Sequence, residues 1–156
     1  MYGSNQYGSG THHTTTARRS LVLLGVSVVL GLIHHTDHVL RGDHSGWPFQ
    51  PQVTPFTFSL GVYVLFALAY RVRARPARSA AAVASVLALT QFSHIVFELP
   101  HDQYSTWATG TNLLHVHAPL LGLAAAGLSI LLSVVLLATV LSFLVDARRM
   151  QAPPQS

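Results

Sequence analysis

Residues Leu113 to Val145, LLHVHAPLLGLAAAGLSILLSVVLLATVLSFLV, hold no aspartate, glutamate, lysine or arginine in 33 positions. The hydrocarbon core of a bilayer, about 30 Å thick, is crossed by about 20 helical residues. This stretch exceeds that length, so the chain reads as an integral membrane protein. Its composition agrees. Half of the 156 residues are hydrophobic and only 9% are charged, against about 25% charged in soluble domains, and the mean hydropathy is +0.42.

Three further apolar segments lie upstream. Together they predict an all-α integral membrane four-helix bundle over 18–149, with helices at about 20–40, 55–71, 79–99 and 113–146. Thr54-Pro55 supplies an N-cap and a proline at the first helical position for the second helix, and Pro100 stops the third. The first segment has 14 uninterrupted apolar or small residues, Ser20 to Ile33. It spans only if His34 to Leu40 continue as helix. The third likewise carries Gln91, His94 and Glu98 inside its span. Residues 1–17 and 150–156 are small and polar and read as disordered tails. A cleaved signal peptide with Arg18-Arg19 as its basic region is the alternative for the first segment. It requires a small-x-small cleavage site, and HHTDH follows instead.

All nine basic residues are arginine. Arg18 and Arg19 precede the first helix, Arg71, Arg73, Arg75 and Arg78 join the second to the third, and Arg148 and Arg149 follow the fourth. The positive-inside rule makes this side cytoplasmic, with both termini inside. Loops 41–55 and 100–112 then face out, and their Trp47, Phe49, Tyr104 and Trp107 suit an interfacial aromatic belt. The arginines read as topology signals rather than a nucleic-acid patch. Small residues form strips that let membrane helices approach closely: Ala80, Ala84 and Ala88, Gly122 and Ala126, then Ala125, Ser129 and Ser133.

The polar residues are distributed one-sidedly. His34, His35, His38, His44, His94, His101, His115 and His117 fall at the outer helix ends or in outer loops, with Asp37, Asp43, Glu98 and Asp102. Spacing sharpens the pattern. His34 and His38 are four apart and share a helix face, as do His94 and Glu98. Ionisable residues inside a span are costly and mark function by default. Imidazole and carboxylate suit zinc, iron or copper(II), and helical bundles hold metals between inward-facing side chains. The chain has no cysteine, which removes thiolate sites. The predicted ligands are therefore His34, His38, His94, Glu98 and His115, with Asp37, His101 and Asp102 as supporting groups or alternative ligands. His35, His44 and His117 read as surface histidines, Arg41 as an interfacial side chain within reach of Asp37, and His12 and His13 as part of the tail. Glu98-Leu99-Pro100-His101 matches Glu-x-x-His, but the proline and the lack of other glutamates weaken a di-iron reading.

The sequence predicts a transition metal (zinc, copper or iron) bound near the extracytoplasmic face for redox chemistry or metal handling. Rivals are a haem-binding electron-transfer subunit, a proton or ion pathway, and an accessory subunit of a larger membrane complex or homo-oligomer. The inner helix halves lack the ionisable residues a pathway needs. An offset of 60 positions places His34 on His94, His38 on Glu98, Ser45 on Ser105, Trp47 on Trp107 and Arg18 on Arg78. Two parallel helical-hairpin repeats would produce this, and would set 34 opposite 94 and 38 opposite 98.

Overall fold

A computed structural model describes residues 16–42, 59–96 and 98–152. Five helices and no strands are present among the described residues: α1 (Arg18–Arg41), α2 (Val62–Arg71), α3 (Pro76–Val96), α4 (Pro100–Ala108) and α5 (Pro119–Gln151). The all-helical class is as predicted, and the count of four is corrected. Pro100 does not only stop a helix; it begins one. Its missing N–H costs nothing in a first turn, and the Asp102 carboxylate accepts the Leu99 N–H at 3.1 Å. Segment 100–112, predicted as a loop, is thus helical for most of its length.

The last helix is shifted relative to its predicted span of 113–146. Residues 113–118 form a loop, because Pro119 takes the first helical turn and disfavours helix in the residue before it. At its other end α5 continues to Gln151. The predicted second helix is described from Val62 only. Thr54, Pro55, Thr57, Asp43, His44, Ser45, Trp47, Phe49 and the tail histidines His12 and His13 lie outside the described residues.

Three helices are long and apolar enough to cross a membrane, namely α1, α3 and α5. At 1.5 Å per residue they measure about 36, 32 and 50 Å, and α2 about 15 Å. α5 is the hub and packs on α1, α3 and α4, while α2 packs on α3. The core is apolar, with Leu24, Phe66, Val83, Val86, Leu136 and Phe143 buried. Many large side chains are exposed along the spans, among them Val64, Ile95, Leu120, Leu123 and Ile130. In a membrane protein these are the lipid-contacting surface.

α1 and α5 run antiparallel. Ser20 meets Ser142 at 2.7 Å, Ser27 meets Thr139 at 3.1 Å, and His34 Nδ1 lies 3.4 Å from Ser129. The buried residues of α1 are Ser20, Leu24, Ser27, Gly31, His34 and Arg41. Its polar members recur every seven residues, at 20, 27, 34 and 41. A seven-residue repeat keeps one seam facing one partner helix, and hydroxyls along such a seam pair across it in lipid.

The contacts also place the arginines. The Ala17 N–H donates to Asp146 Oδ2 at 3.0 Å, and the Thr16 hydroxyl donates to the Arg73 carbonyl. The start of α1, the α2–α3 turn and the end of α5 therefore share one end of the bundle, which carries eight of the nine arginines. The opposite end is closed around Gly42, in the left-handed region at φ 68°, where a Cβ would lie 2.9 Å from Leu113. α4 lies against α5 at Gly122, where a Cβ would lie 2.7 Å from the Tyr104 carbonyl oxygen.

Candidate functional site

The seam of α1 carries His34 and, one turn on, His38, whose Nε2 atoms stand 3.1 Å apart. α3 brings His94 against His34, with ring centroids 5.1 Å apart and planes inclined at 64°. Glu98 lies in the break between α3 and α4, where the residues ahead of Pro100 leave the helix. Its Oε2 is 3.3 Å from His38 Nε2. The offset of 60 positions predicted both pairings, 34 with 94 and 38 with 98. His34, His94 and Glu98 are 5%, 8% and 6% exposed.

Arg41 pairs with Asp37, one of the partners within its predicted reach, but not at the interface. It is 4% exposed rather than interfacial. Its Nη1 pairs with Glu98 Oε1, and its Nε donates to Asp37 Oδ2 at 2.7 Å. Trp107 Nε1 donates to the other Asp37 oxygen at 2.8 Å. Asp37 thus holds a guanidinium and an indole in place and does not touch the imidazoles through these bonds. With both carboxylates ionised and the imidazoles neutral, two carboxylates against one guanidinium give the cluster one negative charge in excess. A protonated imidazole or a bound cation balances it.

A second layer orients the imidazoles. Gln103 Nε2 stands 3.3 Å from His94 Nδ1, and the Ser129 hydroxyl donates to Gln103 Oε1 at 2.7 Å while lying 3.4 Å from His34 Nδ1. One glutamine and one serine therefore engage the Nδ1 atoms of two histidines on different helices. The Nε2 atoms point the other way. Among the described residues, neither His94 Nε2 nor Arg41 Nη2, both buried, has a hydrogen-bond partner. Orienting the Nδ1 side of a ligating histidine is how proteins aim its Nε2 lone pair. Neither Gln103 nor Ser129 stood out in the sequence as a site residue. Ser129 lay in a strip read as packing, and Gln103 in a segment read as loop.

The remaining predicted residues lie apart. His115 is exposed in the loop before α5, at φ 51°. The fully buried Asn112 shapes that loop, accepting the Leu114 and Val116 N–H groups and donating to the Val116 carbonyl. His101 is exposed and pairs with the exposed Asp102 at 3.6 Å, and Asp102 caps α4. His117 is exposed, as predicted. His35 is not a surface histidine. Its Nδ1 lies 2.7 Å from the Tyr63 hydroxyl and its Nε2 lies 2.7 Å from Ser59 Oγ. It fastens α1 to α2, and Tyr63 is the hydroxyl that α2 presents on this side.

Among the described residues, no group of three or more His, Asp or Glu side chains is already arranged to hold one metal ion. Comparison with known proteins finds no matching family, no similar curated protein and no similar solved structure.

Proposed function

We propose that the chain is a multi-pass cell-membrane protein that binds a transition metal ion (zinc, copper or iron) through His34, His38, His94 and Glu98, for redox chemistry or metal handling at the extracytoplasmic surface. The observation that carries this reading is His94. Among the described residues its Nε2, buried beside His34, has no hydrogen-bond partner, and a buried polar atom left unpaired costs free energy that a ligand recovers. The Nε2 atoms of His34 and His38, 3.1 Å apart, have the separation of two nitrogens each about 2.1 Å from one ion. A cation also cancels the excess negative charge.

Loading requires two adjustments. The His38 and His94 rings rotate toward a common point, and the Gln103 amide turns over so that its carbonyl accepts the His94 Nδ1–H, leaving a lone pair on Nε2. Ser129 permits the second change because a hydroxyl both donates and accepts. A haem fits less well. Its axial imidazoles oppose each other across the ring plane, whereas His34 and His94 meet edge to face.

Metal analysis of the purified protein, with its absorption spectrum, tests the reading. Stoichiometric zinc, copper or iron that falls at least about tenfold in His94→Ala and His34→Ala is the expected result. Protein that carries no metal and binds none on addition of each ion overturns it, and the cluster is then a polar lock in an accessory subunit. A Soret band in place of these metals transfers the reading to haem. For orientation, the arginine end is cytoplasmic by the positive-inside rule. A reporter after Ser156 is expected inside and one at Thr109 outside.

A further inference from the structure

The arginine end has a property that topology alone does not require. All eight arginines there, Arg18, Arg19, Arg71, Arg73, Arg75, Arg78, Arg148 and Arg149, are exposed. Among the described residues the one acidic side chain at this end, Asp146, is 4% exposed and already engaged by the Ala17 N–H at 3.0 Å and the Ser20 hydroxyl at 2.6 Å. Arg19 Nη2 lies 3.9 Å from its Oδ1. Among the described residues no exposed acidic side chain balances the surface charge at this end. The arginines also border the lipid-contacting surface directly. Exposed Val22 follows Arg18 and Arg19, exposed Leu68 and Tyr70 precede Arg71, and exposed Leu144 and Val145 precede Arg148 and Arg149. Arg73 lies over the Tyr70 ring, 4.4 Å from its centroid, which holds one guanidinium at the edge of the apolar belt.

We propose that this end binds the headgroup phosphates of anionic phospholipids, with Arg71, Arg73, Arg75 and Arg78 of the α2–α3 turn as its centre. The choice of arginine without a single lysine fits the chemistry, because the guanidinium fork grips phosphate oxygens in pairs while an ammonium acts as a point charge. The Thr16 contact to the Arg73 carbonyl brings the arginines at the start of α1 to the same turn. A lipid rather than a free anion is favoured because the ring of arginines sits where apolar surface ends, at headgroup depth.

The test uses the full chain in nanodiscs of phosphatidylcholine alone or with phosphatidylglycerol, reading thermal unfolding and the anionic lipid retained by native mass spectrometry. Phosphatidylglycerol is expected to raise the unfolding temperature and to be retained, with the effect reduced in high salt. Replacing Arg73 and Arg75 together by Gln is expected to weaken retention about fivefold per arginine. The six remaining arginines keep the membrane orientation. Should the Gln variant not fold, Arg73→Lys with Arg75→Lys keeps the charge, and partial loss of retention is expected from the missing fork. Equal unfolding temperatures and no retention in the two lipid mixtures overturn the proposal. So does equal stabilisation by inorganic phosphate or glycerol phosphate added to phosphatidylcholine nanodiscs, which would make the ligand a soluble anion.

Discussion

Asp146 and Glu98 are almost equally buried, at 4% and 6% exposure, at opposite ends of one bundle, and their surroundings differ in kind. Asp146 accepts the Ala17 N–H and the Ser20 hydroxyl, and it closes the first turn of α1 where no side chain of α1 itself provides a cap. A carboxylate at a helix N-terminus is favoured by the dipole as well. Its chemistry is complete. Glu98 has an imidazole on one oxygen and a guanidinium on the other, among side chains whose own polar atoms are left over. Burial alone does not separate a structural acid from a site acid. The difference lies in whether the donors around it are used up.

Several experiments bear on this contrast. The largest effect is expected at Arg41. Arg41→Met leaves Asp37 and Glu98 without their cation, and breaking such a buried pair costs about 3–5 kcal/mol. A matching drop in unfolding temperature is expected, partly restored when Glu98→Gln is added. An unchanged unfolding temperature would mean that charge does not hold the histidine end together. Asp146→Asn comes next. It weakens the cap of α1 and is expected to cost about 1–3 kcal/mol without altering metal content. Loss of metal in this variant would erase the distinction between the two acids. Gln103→Leu tests the orienting layer, and an affinity loss of about tenfold or more with unchanged stoichiometry is expected. The smallest effect belongs to the seam. Ser27→Ala with Thr139→Val removes both partners of one hydrogen bond, and about 0.6 kcal/mol is expected, read as a small shift in unfolding temperature with the metal unaffected.

The spans and the grouping of arginines were legible because long apolar runs and positive loops report on lipid and headgroups directly. The candidate cluster was legible in half. His34, His38, His94 and Glu98 declared themselves by spacing of four within the membrane. Arg41 was misplaced because a basic residue at a helix end ordinarily reaches for water, and only its position seven after His34 shows that it follows the buried seam. Adjacent His34 and His35 differ by about 100° around α1, so one joins the cluster and the other turns to Tyr63. Which helix each of them meets is a tertiary fact with no local signal. The α4 helix did have one, since proline at the first position with aspartate two residues later is a helix start as well as a stop. His115 was assigned to a helix because apolar composition runs through 113–118 without a break, while Pro119 moves the true start past it.

The repeat of Ser20, Ser27, His34 and Arg41 along α1 makes that helix a ruler as well as a span. Deleting one residue between Ser20 and His34 would turn everything beyond it by about 100°, swinging both cluster histidines of α1 toward lipid while the arginine end stayed in place. Removing seven would return each side chain to its seam, but some 10 Å nearer the arginine end, opposite the wrong rungs of α5. The distance along α1 from Ser20, at the arginine end, to His34 is thereby quantised in heptads. A matched change of seven residues in α1 and α5 together would keep their hydroxyl rungs paired.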